Sequence, residues 1–302
     1  SVRPEVPRAD TDEIIRGFSG DVEPVAPEDI VGLSVIPYDA GFWQGWDNIP
    51  RVDRFPSPNV PYERAFDKIA FRTGLDRDDE FLLLDGMLAA SHDYDDTNTI
   101  HAYSKNGRDY IVTYDGLPSS TIAWHNGVNI IRDGISGRLP SAAELIHSAA
   151  LGDTLVTQTR LNDFASADWT RTVMLVPDAF VAVIDRVGAR EAGTFSLTGH
   201  WKTLGEPTFS SDTLTVQQCP KGEKPEQGNA TYFHLQASGH ATTHRRLEVR
   251  YGLNAREYPF ASPLPNMLAH AKTSRLEAGG SEYLYMLGHE TGGEAMGRFT
   301  FH

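Results

Sequence analysis

"TIHAYSKNGRDYIVTY", residues 99–114, is the stretch that decides the fold. Two runs rich in β-branched and aromatic residues flank Asn106-Gly107, the dipeptide that supplies the two positive φ angles of a type I′ turn, so the segment predicts a tight β-hairpin. The same signature recurs in both directions. Upstream, "DKIAFRTG" (67–74) sets Ile69 and Phe71 on one face, with Lys68, Ala70 and Arg72 on the other. Downstream, "TVMLVP" (172–177) and "DAFVAVIDRV" (178–187) are nearly continuous apolar runs joined at Pro177-Asp178, as expected of strands buried on both sides. "FSLTGHW", "TLTVQQ", "YFHLQASG", "RRLEVRYGL" and "EYLYMLGH" follow at short intervals. In "RRLEVRYGL" (245–253), Leu247, Val249 and Tyr251 alternate with Glu248 and Arg250, giving one core face and one wet face.

Only two short helices are expected: "TDEIIRGF" (11–18), and "SAAELIHSAAL" (141–151), where Ser141 and Glu144 have capping-box spacing. The fold class is therefore all-β: a large antiparallel β-sandwich with one or two short helices and an irregular N-terminal segment. Residues 1–32 read as a Pro-rich linker or extension and 33–302 as the sandwich domain, with "CPKGEKPEQGNAT" (219–231) as a mobile loop. The first residue is a serine, and Pro4, Pro7, Pro24 and Pro27 crowd the start, which points to a processed product or a fragment.

Composition bounds the function. The 302 residues are 40% hydrophobic, enough for a substantial core, and no apolar run is long enough to cross a bilayer. One cysteine, Cys219, rules out an internal disulfide and leaves the compartment open. The formal net charge is −14, with no Lys/Arg cluster interleaved with aromatics, which argues against nucleic acid. An acidic polysaccharide would require a locally positive cleft.

"ASHDYDDTNTIHAY" (90–103) carries the densest chemistry. If the pleat holds from residue 92, His92, Tyr94, Asp96 and Asn98 share one face. Asp115 should return beside Asp96 at the far end of the partner strand. A third strand, "TIAWHNGVNII" (121–131), brings His125 and Asn126 to the same region, with Trp124 on the other side of its pleat. Such a patch suits metal binding, acid–base chemistry, or both. The plainer alternative is a solvated Asp-rich turn at a strand entrance. A calcium loop is excluded, because Gly at the sixth position and Glu at the twelfth are missing. Asp96 and Asp115 remain a conceivable hydrolase pair. Trp43 and Trp46 either stack on sugar rings or pin their loop to the core.

The order of "FDKIAFRTG", "FLLLDG", "SHDYDDTNTI", the "KNGR" hairpin, "YIVTYDG", "TIAWHNGVNII" and "DWTRTVMLVPDAFVAVIDRV" resembles the β-sandwich domain of the heparinase II/III-like polysaccharide lyases, over residues 33–300. The resemblance implies a module that cleaves an anionic, uronate-containing polysaccharide by β-elimination and forms one wall of the cleft. A non-catalytic carbohydrate-binding or structural sandwich is the alternative. His92 matches a histidine that faces substrate in the family. Asp115 and His125 match two ligands of the zinc (Zn2+) site found in some members. Tyr94 stands where the third ligand, a histidine, is found, so a metal would need Asp96 to fill the gap; otherwise His125 and Asp115 form a metal-free pair. His92 and Tyr94 are thus the catalytic candidates, Asn98, Trp124 and Asn126 the substrate-binding ones, and Asp96, Asp115 and His125 the metal-binding ones. The resemblance also implies a secreted or periplasmic protein and, as partners, an acidic polysaccharide and a helical toroid domain, with no nucleic acid or membrane.

Overall fold

The computed structural model describes residues 30–38, 60–87, 96–113, 122–219, 229–238, 241–247 and 265–292. Strands β1 (Gly32–Pro37), β2 (Phe66–Arg72), β3 (Phe81–Asp85), β4 (Ile100–Lys105) and β5 (Arg108–Val112) form one sheet in sequence order. Chain order continues with β6 (Val128–Arg132), β7 (Ile135–Ser136), β8 (Glu144–Leu151), β9 (Thr154–Phe164), β10 (Ala167–Val176), β11 (Phe180–Ala189) and β12 (Gly193–Thr203). The last are β13 (Glu206–Ser210), β14 (Thr213–Gln218), β15 (Thr231–Ala237), β16 (Ala241–Arg246), β17 (Asn266–Leu276) and β18 (Ser281–Thr291). The second sheet runs β13-β14-β15-β18-β11-β10-β9-β8 and the third β16-β17-β12-β6-β7; all pairings are antiparallel. The protein is an all-β sandwich, as the strand signatures predict. No helix among the described residues is long and apolar enough to cross a membrane.

Asn106 and Gly107 turn the β4–β5 hairpin at φ 52° and 66°, the left-handed values that the turn chemistry requires. Period-2 alternation then builds the core. On β10 the buried residues are Ala167, Trp169, Arg171, Val173 and Leu175, with half-exposed neighbours between them. These strands are therefore buried on one face, not on both as their apolar runs suggest. Residues of all three sheets, among them Phe71, Ile111, Trp169, Phe195 and Phe233, meet in a single cluster. Gly199 on β12 is required by that packing, because a Cβ there would lie 2.2 Å from His270 Nε2.

The helix predicted over 141–151 is a strand instead. Glu144, the residue expected to cap it, is almost fully buried and accepts from Arg160 Nε at 2.7 Å and Asn162 Nδ2 at 3.0 Å. Its carboxylate thus satisfies groups on β9, and β8 becomes an edge strand paired along that 11-residue neighbour. Long-range pairing overrides the local preference. The segment 11–18, Val249, Tyr251, Trp43, Trp46 and most of 219–231 lie outside the described residues.

Arg171 joins the layers. Its guanidinium is wholly buried, pairs with Asp185 on β11 (Nε to Oδ1 2.8 Å, Nη2 to Oδ2 2.9 Å), and lies 4.7 Å and 5.4 Å from the ring centres of Trp169 and Trp201. Nη1 donates to the carbonyls of Asn98 (3.0 Å) and Asn126 (2.7 Å), two loops outside that sheet. Removing one partner of a buried pair strands the other charge, which costs ~3–5 kcal/mol. Asp185→Ala should lower the free energy of unfolding by that order in urea titrations. The double variant Arg171→Met/Asp185→Leu should lose less than either single change.

Candidate functional site

β3 ends at Asp85, and Gly86 follows where a Cβ would meet the Phe66 carbonyl at 2.2 Å, so the backbone can pass there only without a side chain. The described chain resumes at Asp96. Residues 96–99 form a turn, not the continuation of a pleat: Thr99 N and Oγ1 both donate to the Asp96 carbonyl, at 3.0 and 2.6 Å, and Asn98 takes φ 63°. The turn clasps Asp85, whose N–H donates to the Thr99 carbonyl (2.9 Å) and whose carbonyl accepts from Asn98 N (2.8 Å). The pleat, and with it the side-chain alternation expected from residue 92, begins only at Ile100.

The third segment also differs from its predicted form. Ile122–Trp124 is a 3-10 turn closed by His125 N donating to the Ile122 carbonyl (3.0 Å), and β6 starts only at Val128. Asn126 explains why. Its Nδ2 donates to the carbonyls of Ile100 (2.8 Å) and Val112 (3.0 Å), and its Oδ1 accepts from Lys202 N (2.7 Å). One amide side chain thereby stitches β4, β5 and β12 together, in place of strand pairing.

Of the predicted site residues, Asn98 and Asn126 meet at Arg171 and Asp96 and His125 border the same two loops, while His92, Tyr94 and Asp115 lie outside the described residues. Asn98 and Asn126 are not placed to bind substrate. Both are fully buried, and the Asn98 Oδ1 accepts from Thr159 Oγ1 at 2.6 Å. Their side chains brace the loops from beneath. Trp124 is half-buried and packs against Leu247 and Met267, leaving part of its ring outward.

Four residues that the sequence reading missed complete the pocket. Asp85 is nearly fully buried between Lys68 Nζ (3.1 Å from Oδ1) and His101 Nδ1 (3.2 Å from Oδ2). Burial alone would lower Lys68, but Asp85 and Asp67 beside it outweigh that and hold it above the usual lysine range. Lys202 is wholly buried, its Nζ donating to the His125 carbonyl; burial, with Arg245 nearby, drives it well below the usual lysine range. Burial, then Lys202 and His101, push His125 down to about 3 against an opposing pull from Asp85, so its ring is neutral at physiological pH. The cluster thus has a deeply buried part at His125 and Lys202, where charge is disfavoured, and a part at Asp85, Lys68 and His101 that reaches toward the surface through Lys68 and His101. Of the four, only Asp85 lies close in sequence to the segment that drew attention, and nothing local marks Lys68, His101 or Lys202.

No protein-family model matches the sequence, and neither does any curated protein. Among solved structures, the chain is similar to the heparan sulfate lyase HepC from Pedobacter heparinus (14% identity, 88% of this chain and 44% of that one, TM-score 0.55). It is also similar to heparinase III (14% identity, 77% and 36% covered, TM-score 0.54). Weaker likenesses extend to sandwiches of the aldose-epimerase type, such as a chain from Escherichia coli K12 (9% identity, 74% and 99% covered, TM-score 0.41). What is shared with the heparinases is a β-sandwich fold, at a distance, and the chain spans less than half their length.

Buried neutral histidines give the fold a pH dependence. Burial, then the Lys202 cation, lowers His200 to about 3, and burial, then His234, lowers His289 to about 4, both from 6.5. Below pH 6.5 the unfolded chain takes up protons that the folded one refuses. Their contribution is therefore constant above that pH and is lost as pH falls toward 4, at about 1.4 kcal/mol per pH unit for each histidine. Urea midpoints measured from pH 7.5 to 4.5 should fall accordingly, and His200→Gln should flatten the slope by about one proton.

Proposed function

We propose that the chain is the β-sandwich module of a polysaccharide lyase that cleaves an anionic, uronate-containing polysaccharide by β-elimination and forms one wall of the cleft. The observation that carries the reading is the meeting of β3, β4, β5 and the 122–126 turn around one polar pocket, on a sandwich similar in fold to the heparinases. β-Elimination needs a base for the proton beside the carboxylate, a group that neutralises the carboxylate, and an acid for the leaving oxygen. His92 and Tyr94 belong to segment 88–95, outside the described residues, which joins Met87, two residues after Asp85, to Asp96. His92 faces the substrate, Tyr94 exchanges a proton with it, and Trp124 offers a ring face to a sugar.

A polyanion approaching a chain of net charge −14 needs local cations, and Lys68 at the pocket supplies one. A helical toroid domain, as the opposite wall, provides the remaining groups. A polymer of this kind is met outside the cytoplasm, which suits a secreted or periplasmic protein.

The donor set argues against zinc. A neutral phenol at Tyr94 is a poor ligand, and among the described residues no three His, Cys, Asp or Glu side chains converge. Asp96, Asp115 and His125 are the residues that would have to hold the ion, and no step here passes through a metal. Elemental analysis of the purified chain should give well under one equivalent of zinc, unchanged by His125→Ala.

Incubation with uronate polysaccharides, with and without a helical partner domain, tests the reading. Growth of the ultraviolet absorbance of an unsaturated sugar, lost in His92→Ala, is the expected result. Binding without product would assign the chain to the non-catalytic carbohydrate-binding sandwiches, and new reducing ends without unsaturation to the hydrolases.

A further inference from the structure

His101 is the extra residue of a β-bulge. On β3, Leu84 pairs with Ile100 and Leu83 with Ala102, so position 101 has no partner in that ladder. Bulges re-aim a side chain and are over-represented next to active sites. This one brings the His101 ring beside a buried carboxylate, with Nδ1 3.2 Å from Asp85 Oδ2. The contrast in exposure matters: Asp85 is sealed at 2% of its side-chain surface, whereas His101 shows 42%. Both partners are fixed from behind. Thr113 Oγ1 donates to the His101 carbonyl at 2.9 Å, two residues before Asp115. Asp85 is clasped by the 96–99 turn and by Lys68 at 3.1 Å. A buried carboxylate that holds one nitrogen of an imidazole, with the rest of the ring turned outward, is the arrangement of an oriented acid–base group. His101 is not among the residues matched to the family's site, so the inference comes from the bulge and not from the resemblance.

We propose that Asp85 and His101 form an acid–base dyad of the cleft, with His101 the catalytic residue and Asp85 the positioning residue. The inference rests on the lyase reading. In the elimination, the C5 proton passes to a base of the phenolate or imidazole class, as the lyase reading requires. The electron pair left at C5 forms the C4=C5 double bond as the C4–O bond breaks. Protonated His101 gives its Nε2 proton to the leaving oxygen and recovers one from water. The charged and titratable groups around the dyad are Lys68 and Asp67 on β2, Asp96 at the head of the turn, and His125 opposite.

The test uses the full-length protein, uronate polysaccharide substrates and the ultraviolet assay. His101→Gln should lower kcat by about 10²- to 10⁴-fold with little change in KM. His101→Ala should regain activity when imidazole is added, which a packing role would not allow. Asp85→Asn should displace the limb of the pH–rate profile that reports the acid, with circular dichroism confirming that the variant folds. Full activity in His101→Gln overturns the dyad and leaves the lyase reading intact. If the wild-type protein forms no unsaturated product from any substrate, the lyase reading fails. The dyad is then judged by histidine NMR during titration with a uronate tetrasaccharide. A shift of the His101 ring signals, altered in Asp85→Asn, keeps it as a substrate-contacting group, and unmoved signals remove it.

Discussion

A guanidinium enclosed in the centre of an apolar sandwich sets the terms for everything around it. Arg171 carries a full charge and five N–H donors into a region with no water, where an uncompensated charge is far too costly to bury. Asp185 answers the charge with two hydrogen bonds in fork geometry, and Trp169 steadies the same carboxylate through its indole N–H at 2.7 Å. Two indole faces flank the guanidinium, where their quadrupoles favour a cation. The Nη1 group remains, and it takes backbone carbonyls from Asn98 and Asn126. Those carbonyls can point inward only if their loops turn where they do, and Asn98 accepts a left-handed backbone for this purpose. The core therefore dictates the shape of the two loops that border the site.

From this floor the polarity of the pocket changes with depth. Just above Arg171, Asn126 satisfies the ends of three strands with its side chain, which removes loose carbonyls that would otherwise have required water. At the same level, burial disfavours the charged form of both His125 and Lys202, with Lys202 adding to the effect on His125 and Arg245 to that on Lys202. Beside them the Asp85 carboxylate lies within about one hydrogen-bond length of both the Lys68 ammonium and the His101 imidazole. Opposite charges are thus paired beside the loops as they are in the interior, where Arg171 meets Asp185.

The sequence revealed this architecture unevenly. Asn106-Gly107 fixed its hairpin because a type I′ turn is a local matter, settled by two φ angles. The strands of β10 and β11 were equally plain, yet their one-sided burial was hidden, since Met174 and Ile184 are as apolar as the residues facing inward. Ser141 and Glu144 imitated a helix cap because spacing alone cannot show that Arg160, sixteen residues later, claims the carboxylate. Asn126 was legible as part of the site and misread in its role: an amide next to glycine looks available, and only the ends of β4 and β5 show that it is occupied. Arg171 did leave a mark, standing between Trp169 and Val173 on the apolar side of a period-2 strand. His101 left none, because a bulge is a relation between two strands and is written in neither of them.

The same distinction explains how a chain only 14% identical to HepC can share its fold. A sandwich tolerates wide substitution on its faces provided that volume and alternation are kept, whereas a buried charge tolerates almost none, since each of its partners must be replaced together. The constraint is therefore concentrated where Arg171 meets Asp185 and the two asparagine carbonyls, and it relaxes outward. Toward the surface, chemistry can change at little cost to the fold: a histidine occupies a bulge that the strand pattern does not require. A reaction carried by such a wall would depend on rim residues that evolve freely, held in register by an interior that does not. Divergence in substrate would then proceed without any change in the core, and likeness of fold and likeness of reaction would part company at the boundary between Asn126 and His101.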